Sequence, residues 1–538
     1  MNIHITRIYV DGFKRFSSFT VELNPTFNAI VGDNETGKSS LLEAIGLVLT
    51  GKYDGRLVQY AVDPYLFNAR RVEEYFQKHL NGEHGVPPRV EIEAYLHDDP
   101  DNPSLARLKG TMNTRNENCP GLVLTIEADD NHVEALRDYA SDDSNPPVLP
   151  VEFYRSTWRS FSGNGVNLRN LPFRAAMIDT NLARVYRGPN RYLSQVANDV
   201  LSEDQRRQLS LAYKKLRHQF AQEPGVMAIN DHLQQQGSPA TTKELSVQMD
   251  MSSRASWDSA ISAHLGDLPF DCAGRGEQSR VQMHLLIVGA QQSQVLLIEE
   301  PENHLSHSNL NRFMDDIRRD CADRQAIVTT HSAFVLNKLG IDNLRLVSHG
   351  GQTATLGGLT PETKDYFMKL PGYDTLRLIL SKRSILVEGP SDELIVQRAY
   401  RDRHMKLPLA NSVDVISVGS LAFRRFLEIA ALLGLDVSVV TDNDGDVDAL
   451  KSKYTEYMNG THPTIKVCYD DDETCKTLEP QLLRANNRQK LNSILGTTYG
   501  NDEALLRYMD RNKTDCALKM FESSERWSTP EYIASAIE

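Results

Sequence analysis

The sequence lacks the cysteine pattern of a disulfide scaffold or a zinc ribbon. Its six cysteines (Cys119, Cys272, Cys321, Cys468, Cys475 and Cys516) are spread over 538 residues with no CxxC pair. Neither a disulfide framework nor a zinc hook is predicted, and a reducing cytoplasm fits. Also missing is an apolar run long enough to cross a bilayer: the longest uncharged stretch, Val281 to Ile298, is broken by Gln, His and Ser. The opening MNIHITRIYV has no basic segment leading into an apolar one, which predicts no secretory signal. No heptad pattern is sustained, and neither a low-complexity tract nor an internal repeat is present. Positive charge is not in excess: 72 Asp and Glu face 59 Lys and Arg, a formal charge of −13, so any DNA partner must be held by a local patch.

What is there describes a folded α/β protein. Hydrophobic residues at 40% and charged residues at 24% rule out the composition of a disordered chain, and the length predicts two to four domains. Ile3–Val10 and Phe19–Leu23 alternate like strands, and Phe27–Val31 reads as a buried strand running into a glycine-bounded loop with a helix from about Ser39. Arg89–Leu96 alternates again. The polar, Pro-containing segments DDPDNP and SDDSNPP then predict that residues 98–150 are loop-rich. Leu193–Gln236 turns helical and ends near Gly237, Ser238 and Pro239, which suggests an inserted lobe. Strands follow at Val295–Ile298, Ala326–Thr330 and Leu344–Val347, the last leading into a Gly-rich hairpin. A fresh series then begins: strand Ser384–Val387, helix Asp392–Arg401, strand Val413–Val418, helix Phe423–Leu433 and strand Val437–Thr441. That series predicts a separate α/β domain with its boundary near residue 380.

The loop GDNETGKSS matches G-x-x-x-x-G-K-[ST] and lies between an apolar strand and a helix, where phosphate binding needs it. Gly32 and Gly37 let backbone N–H groups, with Asn34 and Ser40 in the same loop, curl round a phosphate; Lys38 reaches the β/γ oxygens and Ser39 takes Mg²⁺. ATP is the expected cofactor. Downstream, Val295–Ile298 ends in Glu299 and Glu300, two carboxylates at the mouth of a strand. Glu299 is expected to hold Mg²⁺ through water and Glu300 to orient or deprotonate the attacking water. His331, in TTHS after the next strand, is placed to sense the γ-phosphate.

A second carboxylate set lies in the last domain. Glu388 and Gly389 end an apolar strand and PSDE opens a helix, while VVTDNDGD places Asp442 and Asp444 two residues apart on one side of an extended chain. Strand ends lie side by side in a parallel sheet, so Glu388, Asp392, Asp442 and Asp444 together suit one or two Mg²⁺ ions of the kind used in phosphodiester cleavage, with Mn²⁺ as a substitute. A calcium EF-hand fits DNDGDVD poorly, because Gly445 stands at the fourth loop position and Lys453 where the bidentate Glu belongs. Singly, each of these motifs also suits a plain turn or strand end.

The order of P-loop, signature candidate, EEPE and His resembles the ATP-binding-cassette ATPases of the chromosome-maintenance and recombination-repair group. Gly274, Arg275, Gly276, Glu277 and Gln278 stand where that group has its signature, although Ala273 replaces the family's Ser. In that group the signature loop, here including Gly276, completes the ATP site of a second subunit, which implies at least a homodimer. Long-arm members are excluded, since only about 235 residues separate Ser39 from Gly274. Lys14 and Arg15 in GFKRF resemble the group's basic residue against the nucleotide, or are solvated strand-end charges.

The strand-end Glu followed by a strand-end DxD resembles the Toprim domain. A cassette ATPase fused to a C-terminal Toprim is similar to the overcoming-lysogenization-defect (OLD) family of nucleases, which includes the Gabija A subunit and retron-associated effectors; the motifs are GDNETGKSS, IEEPENHLS, TTHS, LVEGPSDE and TDND. The resemblance implies an α/β fold with an ATPase N-terminal half at 1–160, an inserted helical or dimerisation lobe at 161–265, an ATPase C-terminal half at 266–375 and a Toprim nuclease domain at 380–538. It also implies Glu479 in KTLEPQLL as a second-metal ligand, and Lys513 in NKTDCALKMF as the lysine that stabilises the charged transition state, with Lys519 as a competitor. Further implications are a bacterial antiphage role and a defence-system partner such as a helicase or a retron reverse transcriptase.

Between Val151 and Arg191 seven Arg face two acids, with Trp158, Phe161, Phe173 and Tyr186 interspersed. That composition suits DNA phosphate contact with base stacking, or equally a subunit interface. The expected function is an ATP-binding, Mg²⁺-dependent DNA endonuclease. The alternative is a recombination-repair ATPase that clamps DNA without cutting it; a topoisomerase or primase would need a tyrosine-nucleophile domain or a zinc ribbon.

Overall fold

The computed structural model describes residues 3–33, 36–53, 56–58, 62–142, 144–179, 201–236, 264–274, 277–278, 293–303, 306–320, 323–332, 338–347, 353–369, 373–419 and 422–538, with 247, 249, 257, 281 and 335. Packing divides the chain into two compact units. The first comprises Met1–Ser17, Glu22–Thr26 and Ser39–Thr329; the second comprises Ser18–Val21, Phe27–Lys38 and Thr330–Glu538.

In the first unit, strand Ile5–Phe13 pairs antiparallel with Val90–Leu96, which pairs with Cys119–Ala128, which pairs with Tyr154–Ser160. Ile8, Val10, Ile92, Leu124 and Ile126 are buried, the inward half of an alternating pattern. Residues 98–150 are therefore not loop-rich. They contain the ten-residue strand Cys119–Ala128 and the helix Val133–Ser141. The inward Leu122, Leu124 and Ile126 carry the strand signal, which the flanking acidic and Pro-rich segments obscure.

The same unit holds three parallel strands, Ala175–Asp179, Val295–Glu299 and Gln325–Thr329, in register so that Ile178, Ile298 and Val328 lie abreast. Val295–Ile298 is buried on both faces, which explains its unbroken apolar run. Two helices, Glu203–Ala221 and Pro224–Gln236, lie between strands Ala175–Asp179 and Val295–Glu299 in the sequence, and the first starts on a Ser202–Gln205 capping box.

In the second unit, strand Phe27–Val31 pairs parallel with Leu344–Val347, and the latter turns back antiparallel onto Thr353–Ala354. The C-terminal part is a four-stranded parallel sheet in the order Val413–Ser417, Arg383–Val387, Asp436–Val440, Ile465–Cys468. Val387 lies level with Ser417 and Val440, and Val440 with Cys468, so the residues that follow these strands emerge along one edge. The core beneath joins Ile385, Val387, Ile395 and Val440 to Leu505, Met509 and Ile533 of the later helices. Buried Arg398, on helix Pro390–His404, donates to the carbonyls of Met520, Phe521, Ser523 and Glu525, which ties that helix to the C-terminal segment.

Candidate functional site

The phosphate-loop residues lie between strand Phe27–Val31 and helix Lys38–Thr50, as their spacing predicts. A Cβ on Gly32 would stand 2.5 Å from Thr36 Oγ1 and from the Val347 carbonyl, and Gly37 has φ of 101°, so both positions require glycine. Lys38 is 5% exposed, and its ammonium donates to the carbonyls of Gly32 at 3.0 Å and Asp33 at 2.9 Å. That holds the ammonium over its own loop. Ser39 and Ser40 occupy the first turn of the helix. Asn34 and Gly276 lie outside the described residues. Lys14, at φ 47°, sends its ammonium to the Glu43 carboxylate and over the Tyr53 ring, while Arg15 is exposed.

Glu299 closes strand Val295–Glu299 level with Asp179 and Thr329. Glu300 follows in a left-handed turn (φ 39°), its N–H donating to the Thr329 carbonyl at 3.0 Å. Asn303 Nδ2 donates to Glu300 Oε2 at 2.6 Å, fixing the carboxylate. Sequence reading passed over Asn303, whose signal is its place three residues after the strand-end carboxylate. His331 is half-buried just past strand Gln325–Thr329.

The last domain brings five acids to one sheet edge. Glu388 follows strand Arg383–Val387, and Oε1 of its carboxylate accepts from the Thr441 hydroxyl at 2.7 Å and from the Asp442 N–H at 3.1 Å. Asp392, in the first turn of helix Pro390–His404, accepts the Gly389 N–H at 3.1 Å. Asp444 sits in a left-handed turn (φ 50°) and its N–H donates to the Lys476 carbonyl at 3.2 Å. Glu479, 5% exposed on helix Leu478–Asn486, accepts from Thr477 Oγ1 at 2.9 Å and faces Lys513 at 3.5 Å. Lys519 turns away, onto Asp515 at 3.1 Å and the Tyr508 hydroxyl.

These acids repel one another across a partly buried edge, where Glu479 is buried, Glu388, Asp392 and Asp442 are half-buried and Asp444 is exposed. Burial, reinforced by Asp392, Glu388, Glu479 and Asp444, pushes Asp442 up to about 8. Burial and then Glu388 push Asp392 up to about 6. Burial opposes the charge on Lys513, but the Glu479 and Asp510 carboxylates outweigh it and raise the lysine. Among the described residues Lys513 is the one cation within ion-pair range of the five acids. The donor set therefore fits a divalent cation in charge and ligand type. In geometry it is open: among the described residues no three His, Cys, Asp or Glu side chains gather as a ready-made metal cage.

Two residues of this edge escaped sequence reading. Thr441 and Asn443 look like strand end and spacer, and only the neighbouring strand and loop reveal what they touch. The basic-aromatic stretch also changes meaning. Phe161 and Phe173 are buried, and Phe161 packs edge-on against Tyr95 with centroids 4.8 Å apart, so neither is a base-stacking platform. Arg155 is held by Glu127 and Asp130. Arg184, Tyr186, Arg187 and Arg191 lie outside the described residues. Among the described residues no helix is long and apolar enough to cross a membrane.

Three family models match successive parts of the chain. An AAA domain covers residues 7–118, and the AAA domain described for the AbiEii toxin of type IV TA systems covers residues 190–337. The Toprim domain described as overcoming lysogenization defect protein-like covers residues 379–444, which include Glu388, Asp392, Asp442 and Asp444 but stop before Glu479 and Lys513. These matches define an α/β protein in which an AAA-type ATPase is followed by a Toprim domain. In its order of parts the chain is similar to OLD-type proteins, with two AAA matches followed by an OLD-like Toprim match.

Among curated relatives, the DNA replication and repair protein RecF of Actinobacillus pleuropneumoniae serotype 5b is 35% identical over 71 residues, 12% of this chain and 20% of the relative. The chain thus matches about a fifth of the RecF length. The protein YbjD of Escherichia coli K12 is 23% identical over 478 residues, covering 82% of this chain and 79% of the relative. Among solved structures, the C-terminal region of the Xanthomonas campestris pv. campestris OLD protein is 19% identical, covering 30% of this chain and 92% of its own, with a TM-score of 0.24. The SMC head bound to the C-winged helix domain of ScpA is 15% identical, covering 66% and 99%, with a TM-score of 0.33.

Proposed function

We propose that this chain is an ATP-binding, Mg²⁺-dependent DNA endonuclease in which the ATPase region regulates a Toprim nuclease. The observation that supports it best is the gathering of Glu388, Asp392, Asp442 and Glu479 at one sheet edge, where burial and mutual repulsion raise Asp442 to about 8 and, among the described residues, Lys513 is the one cation in ion-pair range. Carboxylates crowded together at a half-buried edge are costly without a cation.

Glu388, Asp392, Asp442, Asp444 and Glu479 are the residues that would hold Mg²⁺, with Mn²⁺ as a substitute. When bound, such a cation supplies an activated water and neutralises charge on the leaving oxygen. The chain's own groups do the rest. Thr441 and the Asp442 N–H hold one oxygen of Glu388 and leave the other to ligate. Lys513, beside Glu479, places a positive charge where the phosphodiester gathers negative charge.

In the ATPase region, Gly32, Gly37, Lys38, Ser39 and Ser40 cradle the phosphates. Glu299 and Glu300 serve the Mg²⁺ and water of ATP hydrolysis, Asn303 orients Glu300, and His331 senses the γ-phosphate. Two copies complete the ATP site in a homodimer through the segment around Gly276. The setting is cytoplasmic antiphage defence, with DNA as substrate and a helicase or retron reverse transcriptase as partner. Plasmid cleavage in Mg²⁺, with and without ATP, tests the reading. Cleavage by the wild-type chain supports it, and DNA binding without cleavage would favour an ATPase clamp instead.

A further inference from the structure

Between the two carboxylates of the Asp442–Asp444 pair stands Asn443, a position that a DxD pattern treats as a spacer. It is 1% exposed. Its Nδ2 donates to two backbone carbonyls of one distant loop, Asp470 at 2.7 Å and Asp472 at 3.0 Å. Its Oδ1 accepts the Gly445 N–H at 2.9 Å. Both donors and one acceptor direction of the amide are spent on backbone, which fixes both the turn that follows and the loop across from it.

That loop leads to Glu479. Arg484 grips the carboxylates of Asp470 and Asp472, and it lies on helix Leu478–Asn486, the helix that carries Glu479 in its first turn. Other bonds run along the same seam. The Asp444 N–H reaches the Lys476 carbonyl at 3.2 Å, and the Val447 N–H reaches Glu473 Oε1 at 3.2 Å. Gly445, at φ 81°, lies so close under the Lys476 side chain that a Cβ there would sit 2.8 Å from Lys476 Cε. The turn bearing Asp442 and Asp444 and the segment bearing Glu479 are thus laced together, with the buried Asn443 amide at the centre.

We propose that Asn443 is a positioning residue that fixes Asp442 and Asp444 relative to Glu479 and so sets the affinity of this edge for a divalent cation. The proposal rests on the Toprim metal-site reading above. Because the carboxylates do not by themselves close into a cage, their spacing must come from the groups behind them, and residues behind metal ligands typically change affinity by about 10–100-fold when removed.

The test is a calorimetric titration of Mn²⁺ into the nucleotide-free full chain, for the wild type and for Asn443→Ser, Asn443→Asp and Asp442→Ala, beside metal-free melting of each. Serine is too short to reach both carbonyls. Aspartate keeps the shape and the acceptor for Gly445 but loses both donors. The expected result is Mn²⁺ binding weakened at least about ten-fold in Asn443→Ser with the number of ions unchanged, and abolished in Asp442→Ala. Wild-type affinity in Asn443→Ser, with binding lost in Asp442→Ala, would overturn the role of Asn443 and leave the metal site standing. Wild-type affinity in Asp442→Ala would overturn both. If Asn443→Ser fails to fold, Asn443→Asp takes its place; loss of fold in both would make Asn443 a structural residue and overturn the proposal.

Discussion

The Thr441 hydroxyl donates to the Glu388 carboxylate at 2.7 Å across two neighbouring parallel strands. One oxygen of Glu388 is thereby committed to the protein, and the side chain is held in one orientation. Thr441→Val keeps the shape and removes the donor. It is expected to lower cleavage at limiting Mg²⁺ by about ten-fold, the weight of one hydrogen bond to a charged group, while Thr441→Ser stays near wild type. The check is the Mg²⁺ concentration for half-maximal plasmid cleavage.

The elevated Asp442 gives metal-free stability a definite pH sign. Its folded value of about 8 lies above its unfolded value near 3.8, so between these the native state holds a proton that the unfolded chain has lost. Stability therefore falls as pH rises through that window and levels off above about 8. Asp442→Asn removes the titration, so its metal-free melting temperature is expected to fall less between pH 5 and 9 than that of the wild type. Melting curves across that range check this, and Mg²⁺ should raise the melting temperature of the wild type more than that of the variant.

Lys38 donates to two carbonyls of its own loop. Lys38→Ala is expected to abolish ATP binding without unfolding the chain. Unchanged nucleotide affinity, read by fluorescent-analogue titration, would contradict the phosphate-loop assignment.

Glu300, fixed by Asn303 at 2.6 Å, is the proposed water-orienting group. Glu300→Gln is expected to keep ATP binding and lose most turnover, by about 100-fold or more, since the amide keeps shape without basicity. Steady-state phosphate release checks it.

What the sequence made legible was chemistry carried by residues directly after short apolar runs. Glu388 behind Ile385–Val387 and Glu299 behind Val295–Ile298 stand at strand ends in the fold, because unbroken apolar runs of that length form strands covered on both faces, and Lys38 opens the helix across the loop from Phe27–Val31. Lys513 and Lys519 were indistinguishable by composition; the fold turns Lys513 to Glu479 and Lys519 to Asp515. The strand Cys119–Ala128 was hidden by its acidic and Pro-rich flanks. By composition Phe161 and Phe173 suited base stacking or a subunit interface, whereas tertiary packing buries both. Thr441 touches Glu388 and Asn443 touches Asp470 and Asp472, all remote in sequence, and no local pattern marks either residue.

The central claim is that two chemistries reside in one chain, each on its own carboxylates. The most direct measurement is plasmid cleavage in Mg²⁺ by the wild type and by Glu388→Ala and Asp442→Ala, with ATP binding measured on the same preparations. The expected result is cleavage by the wild type, none by either variant, and unchanged ATP binding in all three. Cleavage persisting in both variants would contradict the Toprim assignment, and loss of ATP binding in both would make these carboxylates structural.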